Sequence, residues 1–100
     1  MEKEELILKT KQKLDEIRNK VENFKEKVEK NTNDTIQEKS NDVLNELEEI
    51  DERIQRQYST LGLPENQSKP KITEMEKNIY NSIRSFDSAF QRAGSIFKTQ

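Results

Sequence analysis

Apolar side chains fall on a thin, regular stripe along most of the chain. They occupy Ile7, Leu14, Ile17, Val21, Phe24 and Val28, then Val43, Leu47, Ile50, Ile54 and Leu61. The spacings alternate mostly between three and four, so on a helix these side chains share one narrow face. Helices bury a stripe this thin against partner helices, as in a coiled coil.

The pattern predicts three helical segments. The first covers about residues 3–30. Its pairs Glu5–Lys9, Glu16–Lys20 and Glu26–Lys30 put an acid four residues before a base. That orientation supports an exposed helix by ~0.2–0.5 kcal/mol per pair. Thr10 is the one polar occupant of its stripe. Asn31-Thr32-Asn33-Asp34-Thr35 follows, a run of weak helix formers. There the heptad phase slips by one residue, from 7, 14, 21, 28 to 36, 43, 50. Thr35-Ile36-Gln37-Glu38 then matches a capping box, in which the Thr hydroxyl and the Glu carboxylate satisfy each other's backbone N–H. These signs favour a break. The alternative is one continuous helix to about residue 60, with the extra residue absorbed by local unwinding.

The second segment covers about residues 36–60, with Val43, Leu44, Leu47, Ile50, Ile54 and Tyr58 inward. It is expected to stop at Leu61-Gly62-Leu63-Pro64. Gly62 suits a left-handed cap, and Pro64 cannot continue a helix. Residues 62–71 hold both prolines and read as a loop, with Leu61 and Leu63 closing the end of the bundle. Thr73-Glu74-Met75-Glu76 is a second capping box, expected to open the third segment, about 73–93. Its stripe is Met75, Ile79, Ile83, Phe86, Phe90 and Ala93. Gly94 is expected to end or fray it, leaving Ile96 and Phe97 in an apolar tail or a distorted last turn.

Three segments of similar length, joined by short loops, suit an all-α fold: an antiparallel three-helix bundle forming a single domain. The rival is a long bent helical hairpin whose first seam waits for a second chain. Composition sharpens this picture. Of 100 residues, 29% are apolar and 38% charged. The apolar share is well under the ~45–50% usual for globular domains, so the chain can fill thin seams but no thick core. Partner helices would add to the stability of such a protein.

Charge is unevenly spread. Residues 1–30 carry nine basic and eight acidic groups, residues 31–70 four and nine, and residues 71–100 five and three. The acidic middle and the basic C-terminal part should attract each other, at only ~0.2–1 kcal/mol per exposed pair. The net charge of −2 argues against general nucleic-acid binding.

Candidate chemistry is sparse. The chain has no His and no Cys, so it lacks the commonest general base, the thiolate nucleophile and the preferred zinc and iron–sulfur ligands. Two glycines cannot build a phosphate-cradling loop. No catalytic, metal or cofactor site is expected. The acidic run Glu46, Glu48, Glu49, Asp51, Glu52 spreads around a helix and reads as a solvated face. The segment from Lys77 to Lys98 carries Arg84 and Arg92 as well, against only Asp87, with Phe86, Phe90 and Phe97 on one side. That allows a membrane-surface helix over 73–98 or base stacking, but these aromatics sit on the stripe that a core would use.

The leading expectation is a non-catalytic helical interaction or scaffold protein, a small subunit of an oligomer or complex. Its partner would be another helical protein or a second copy. The contact residues expected are Ile7, Leu14, Ile17, Val21 and Phe24, because the first seam has the least assured cover within the chain. A second expectation is a small helical partner or cargo of a secretion system. The charged start, Met-Glu-Lys-Glu-Glu, does not resemble a secretory signal, and a cytoplasmic location is expected.

Overall fold

The computed structural model describes residues 2–98. It contains α1 (Lys3–Lys30), α2 (Asp34–Thr60) and α3 (Lys69–Lys98), with a single 3₁₀ turn at Pro64–Asn66. Leu6, Leu61 and Ile72 share a cluster at one end, and Phe24 meets Phe97 near the other. So α1 and α3 point the same way and α2 runs back between them, which makes an antiparallel three-helix bundle. The rod measures 51 × 17 × 17 Å, with a radius of gyration of 15.9 Å. A compact chain of this length would have ~13 Å.

Two apolar clusters form the core. The larger joins Ile17, Val21, Phe24 and Val28 of α1 to Leu44, Leu47, Ile50 and Ile54 of α2 and to Phe86, Ala89 and Ala93 of α3. The smaller joins Leu6, Leu61, Ile72 and Ile79. The first seam is thus covered inside the chain, which removes the main reason for a bent hairpin. Contact is uneven. Helix α2 packs extensively on α3 and well on α1, whereas the backbones of α1 and α3 approach each other less closely. Ala89 and Ala93 are fully buried, and side chains this small let α3 lie close to its neighbour.

The break after α1 is real, but its cap is not the expected one. Asn33 is extended (φ −85°, ψ 115°), and its Oδ1 accepts from the Ile36 N–H at 3.1 Å. Asn31 Oδ1 accepts from the Asn33 N–H at 2.8 Å. Two asparagines therefore satisfy the turn, α2 starts at Asp34, and Thr35 lies inside the first turn. At the other end of α2, Gly62 does not adopt a positive φ. The helix instead tightens, with Leu61 N–H donating to Tyr58 O (3.1 Å) and Leu63 N–H to Thr60 O (3.3 Å). The Asn66 amide donates to Thr60 O at 2.9 Å and the Gln67 amide to Leu61 O at 3.3 Å. Side-chain amides thus take the carbonyls that a left-handed glycine would otherwise help to satisfy. Leu61 is fully buried, but Leu63 is 39% exposed and closes nothing.

Helix α3 is longer than expected at both ends. It begins at Lys69, not at Thr73. Ile72 N–H donates to Ser68 O at 3.0 Å, and Lys71 N–H makes a long bond of 3.4 Å to Ser68 Oγ. Pro70 is tolerated because a first-turn N–H has no helical partner to lose. Thr73 sits within the helix, its hydroxyl donating to Lys69 O at 3.0 Å. Gly94 does not stop the helix, which continues to Lys98. Phe97 is thereby held on the helix and packs against the main cluster.

Candidate docking groove between α1 and α3

Helices α1 and α3 are joined by aromatic side chains at one end only. The rings of Phe24 and Phe97 meet edge to face, 5.5 Å apart at 71°. Phe86 stacks on Phe90 at 5.9 Å, and Lys20 Nζ lies 5.3 Å from the Phe90 ring centre. Toward the N-terminal end of α1, Leu6 packs with Ile72 and Ile79 of α3, and a surface gap lies over this contact. The gap is a groove of about 470 Å³ with Leu6, Thr10, Ile79 and Ile83 in its lining. Tyr80 also lines it, and 60% of Tyr80 is exposed.

Its charged rim is mixed. Lys9, Lys13 and Arg84 supply positive charge, Glu16 and Asp87 negative. Lys9 pairs with Glu5 at 3.3 Å and Lys13 with Glu16 at 3.2 Å, both pairs well exposed. Such pairs contribute little to stability and rearrange easily. A groove with a half-buried isoleucine, a largely exposed tyrosine and a charged rim can receive an amphipathic helix by burying the tyrosine ring and matching rim charges.

The expected contact residues lie elsewhere. Ile17, Val21 and Phe24 are 2%, 7% and 4% exposed, inside the main cluster. Leu14 is half-buried against that cluster and Ile7 against the smaller one. None of the five lines the groove. The start of the α1 stripe is also shifted: Leu6 and Thr10 are buried, whereas Ile7 is not. In the run Leu6-Ile7-Leu8 every residue is apolar, so periodicity cannot choose among them. Of the groove residues, Arg84 belongs to the basic segment from Lys77 to Lys98, and Tyr80 lies at the edge of the α3 stripe with no further signal.

The other candidate surfaces resolve into structural roles. Among the acidic run of α2, Glu46 Oε1 accepts from Arg92 Nη2 of α3 at 2.7 Å, an instance of the expected attraction between the acidic and basic parts. Asp51 Oδ2 accepts from the Gln55 amide at 3.2 Å. Among the described residues, no three His, Cys, Asp or Glu side chains gather as metal ligands. Phe86 is fully buried, and Phe90 and Phe97 pack on the main cluster, so the aromatic side of α3 is used internally. Among the described residues, no helix is long and apolar enough to cross a membrane. No protein-family model, curated protein or solved structure matches the chain.

Proposed function

We propose that the protein is a non-catalytic helical interaction module, a small subunit that takes a partner helix into the groove between α1 and α3. The observation that carries this reading is the groove of about 470 Å³ between these two helices, beside a half-buried Ile83 and a largely exposed Tyr80. A fourth helix laid there would complete a four-helix arrangement and cover Tyr80 and Ile83. Tyrosine is a frequent anchor of such interfaces, because it buries a large rigid surface and keeps a polar tip. The groove is open as it stands. By contrast, Ile17, Val21 and Phe24 serve a partner only if α1 leaves its own bundle.

The test places a photo-crosslinking amino acid at position 80 and, as control, at the exposed position 48 on α2, in cells of the native host. Helical segments of one recurrent protein should be trapped from position 80 and not from position 48. Equal trapping from both positions, or none from position 80, would reject the groove as the docking site.

A further inference from the structure

We propose that two copies of this chain exchange α1: the turn at Asn31–Asn33 straightens, and α1 of each copy lies along α2 and α3 of the other. This goes beyond the groove reading and uses a different surface. The occupant's fit is already visible, because the face of α2 and α3 that would receive the exchanged helix holds the chain's own α1 through Ile17, Val21, Phe24 and Val28. A second copy presents the same side chains to the same face, so the exchanged interface repeats the native one.

Three features of the turn favour exchange. First, it is only three residues long and contains neither Gly nor Pro, so nothing in it forbids a helix. Second, its backbone needs no change of φ basin. Asn31 (φ −81°, ψ 130°) and Asn33 (φ −85°, ψ 115°) already have near-helical φ, and only ψ must rotate. Third, few side-chain bonds hold the bend. They are the two asparagine bonds described above and a 3.5 Å bond from the Gln37 amide to Val28 O. A straightened turn trades these for backbone helix bonds across residues 31–36.

Helix α1 is also the easiest element to release. Its backbone lies closer to α2 than to α3, which it meets through side chains of the two clusters. After exchange, residues 3–60 would form one helix of about 58 residues, ~87 Å long at 1.5 Å per residue. The one-residue slip between the α1 and α2 seams turns their faces by ~100° on a straight helix. The two bundles then sit at an angle on the shared helix, with each seam still facing its own partners.

Two hinge variants and a trapping experiment decide the matter. Thr32→Pro pins the bend, since a proline holds the preceding residue extended, as Asn31 already is. The triple variant Asn31→Ala, Thr32→Ala, Asn33→Ala removes the caps and favours a helix. Sedimentation from micromolar to millimolar protein should show a monomer–dimer equilibrium in the native chain. The dimer should be lost in Thr32→Pro and favoured more than tenfold in the triple variant. For trapping, a Phe24→Cys copy is mixed with a Phe97→Cys copy. Those rings meet between α1 and α3, so exchange brings the two thiols within reach of a short bifunctional maleimide that links the two different copies. Should the triple variant fail to fold, Thr32→Pro and the cysteine pair still give the answer. A native chain and triple variant that stay monomeric throughout overturn the proposal. So does a dimer that survives Thr32→Pro but is lost in Tyr80→Glu, which would assign association to the groove instead.

Discussion

Replacing Gly94 by alanine should stabilise the protein. Gly94 lies in the interior of α3, four residues before its end at Lys98. Its φ is not positive, and a Cβ built there meets nothing within 4 Å. A methyl group would therefore neither clash nor gain packing, and the whole effect comes from the backbone. Glycine in a helix interior is ~0.5–1 kcal/mol worse than alanine, mainly because its unfolded chain has more conformations to lose. A domain of this size gains ~4–8 °C in Tm per kcal/mol, so Gly94→Ala should raise Tm by about 2–8 °C. Thermal unfolding followed by circular dichroism at the helix band measures it directly. Phe97→Ala is the companion variant. Its edge-to-face contact with Phe24 is worth ~0.5–1.5 kcal/mol beyond the area that it buries, so Tm should fall clearly. If α3 instead stopped at Gly94, both substitutions would leave Tm nearly unchanged, and that result would refute a helix running to Lys98.

The capping assignments separate cleanly. Asn33→Ala removes the acceptor for Ile36 N–H and should cost about 1 kcal/mol, whereas Thr35→Ala should cost under ~0.5 kcal/mol in the same urea titration. Thr73→Ala should be neutral or slightly stabilising, because its hydroxyl only back-bonds to Lys69 O inside α3 and alanine is the better helix former; a loss near 1 kcal/mol would restore Thr73 as a cap. Phe86→Ala empties the centre of the main cluster and should cost ~3–5 kcal/mol, enough to leave much of a thin-cored protein unfolded at room temperature by circular dichroism.

Much of the fold is legible in the residues. Helix α1 begins and ends where the periodic stripe and its charge pairs imply, and the inward faces of α2 and α3 follow in outline, although Ser40, Ser82 and Ala89 are buried while Val43, Met75, Ile83 and Phe90 are half-buried. That information is local, because one helix face must be apolar whichever neighbour it meets. Helix ends are harder, since several short polar patterns compete for the same few N–H groups. Thr35 and Thr73 both head a capping box, yet Asn33 and Ser68, upstream of them, hold the cap positions. In each case the earlier residue starts the helix, and the later threonine falls inside the first turns.

The groove was not legible, and the reason lies in where bulk sits along the rod. All four phenylalanines, Phe24, Phe86, Phe90 and Phe97, belong to the main cluster or pack on it, where their rings reach from α1 to α3. The other end relies on Leu6, Thr10, Ile79 and Ile83, whose side chains reach less far. Rings fill the space between these two parallel helices at one end, and the shorter side chains at the other leave part of it as a surface groove. The sequence displays this gradient of side-chain size. It does not reveal that α1 and α3 are neighbours across it, because no residue in either helix encodes that adjacency by periodicity. The same uneven packing that opens the groove also leaves the α1 backbone closer to α2 than to α3. The proposed docking face and the proposed helix exchange therefore both depend on one distribution of bulk, and substitutions that fill the Thr10 end should diminish both together.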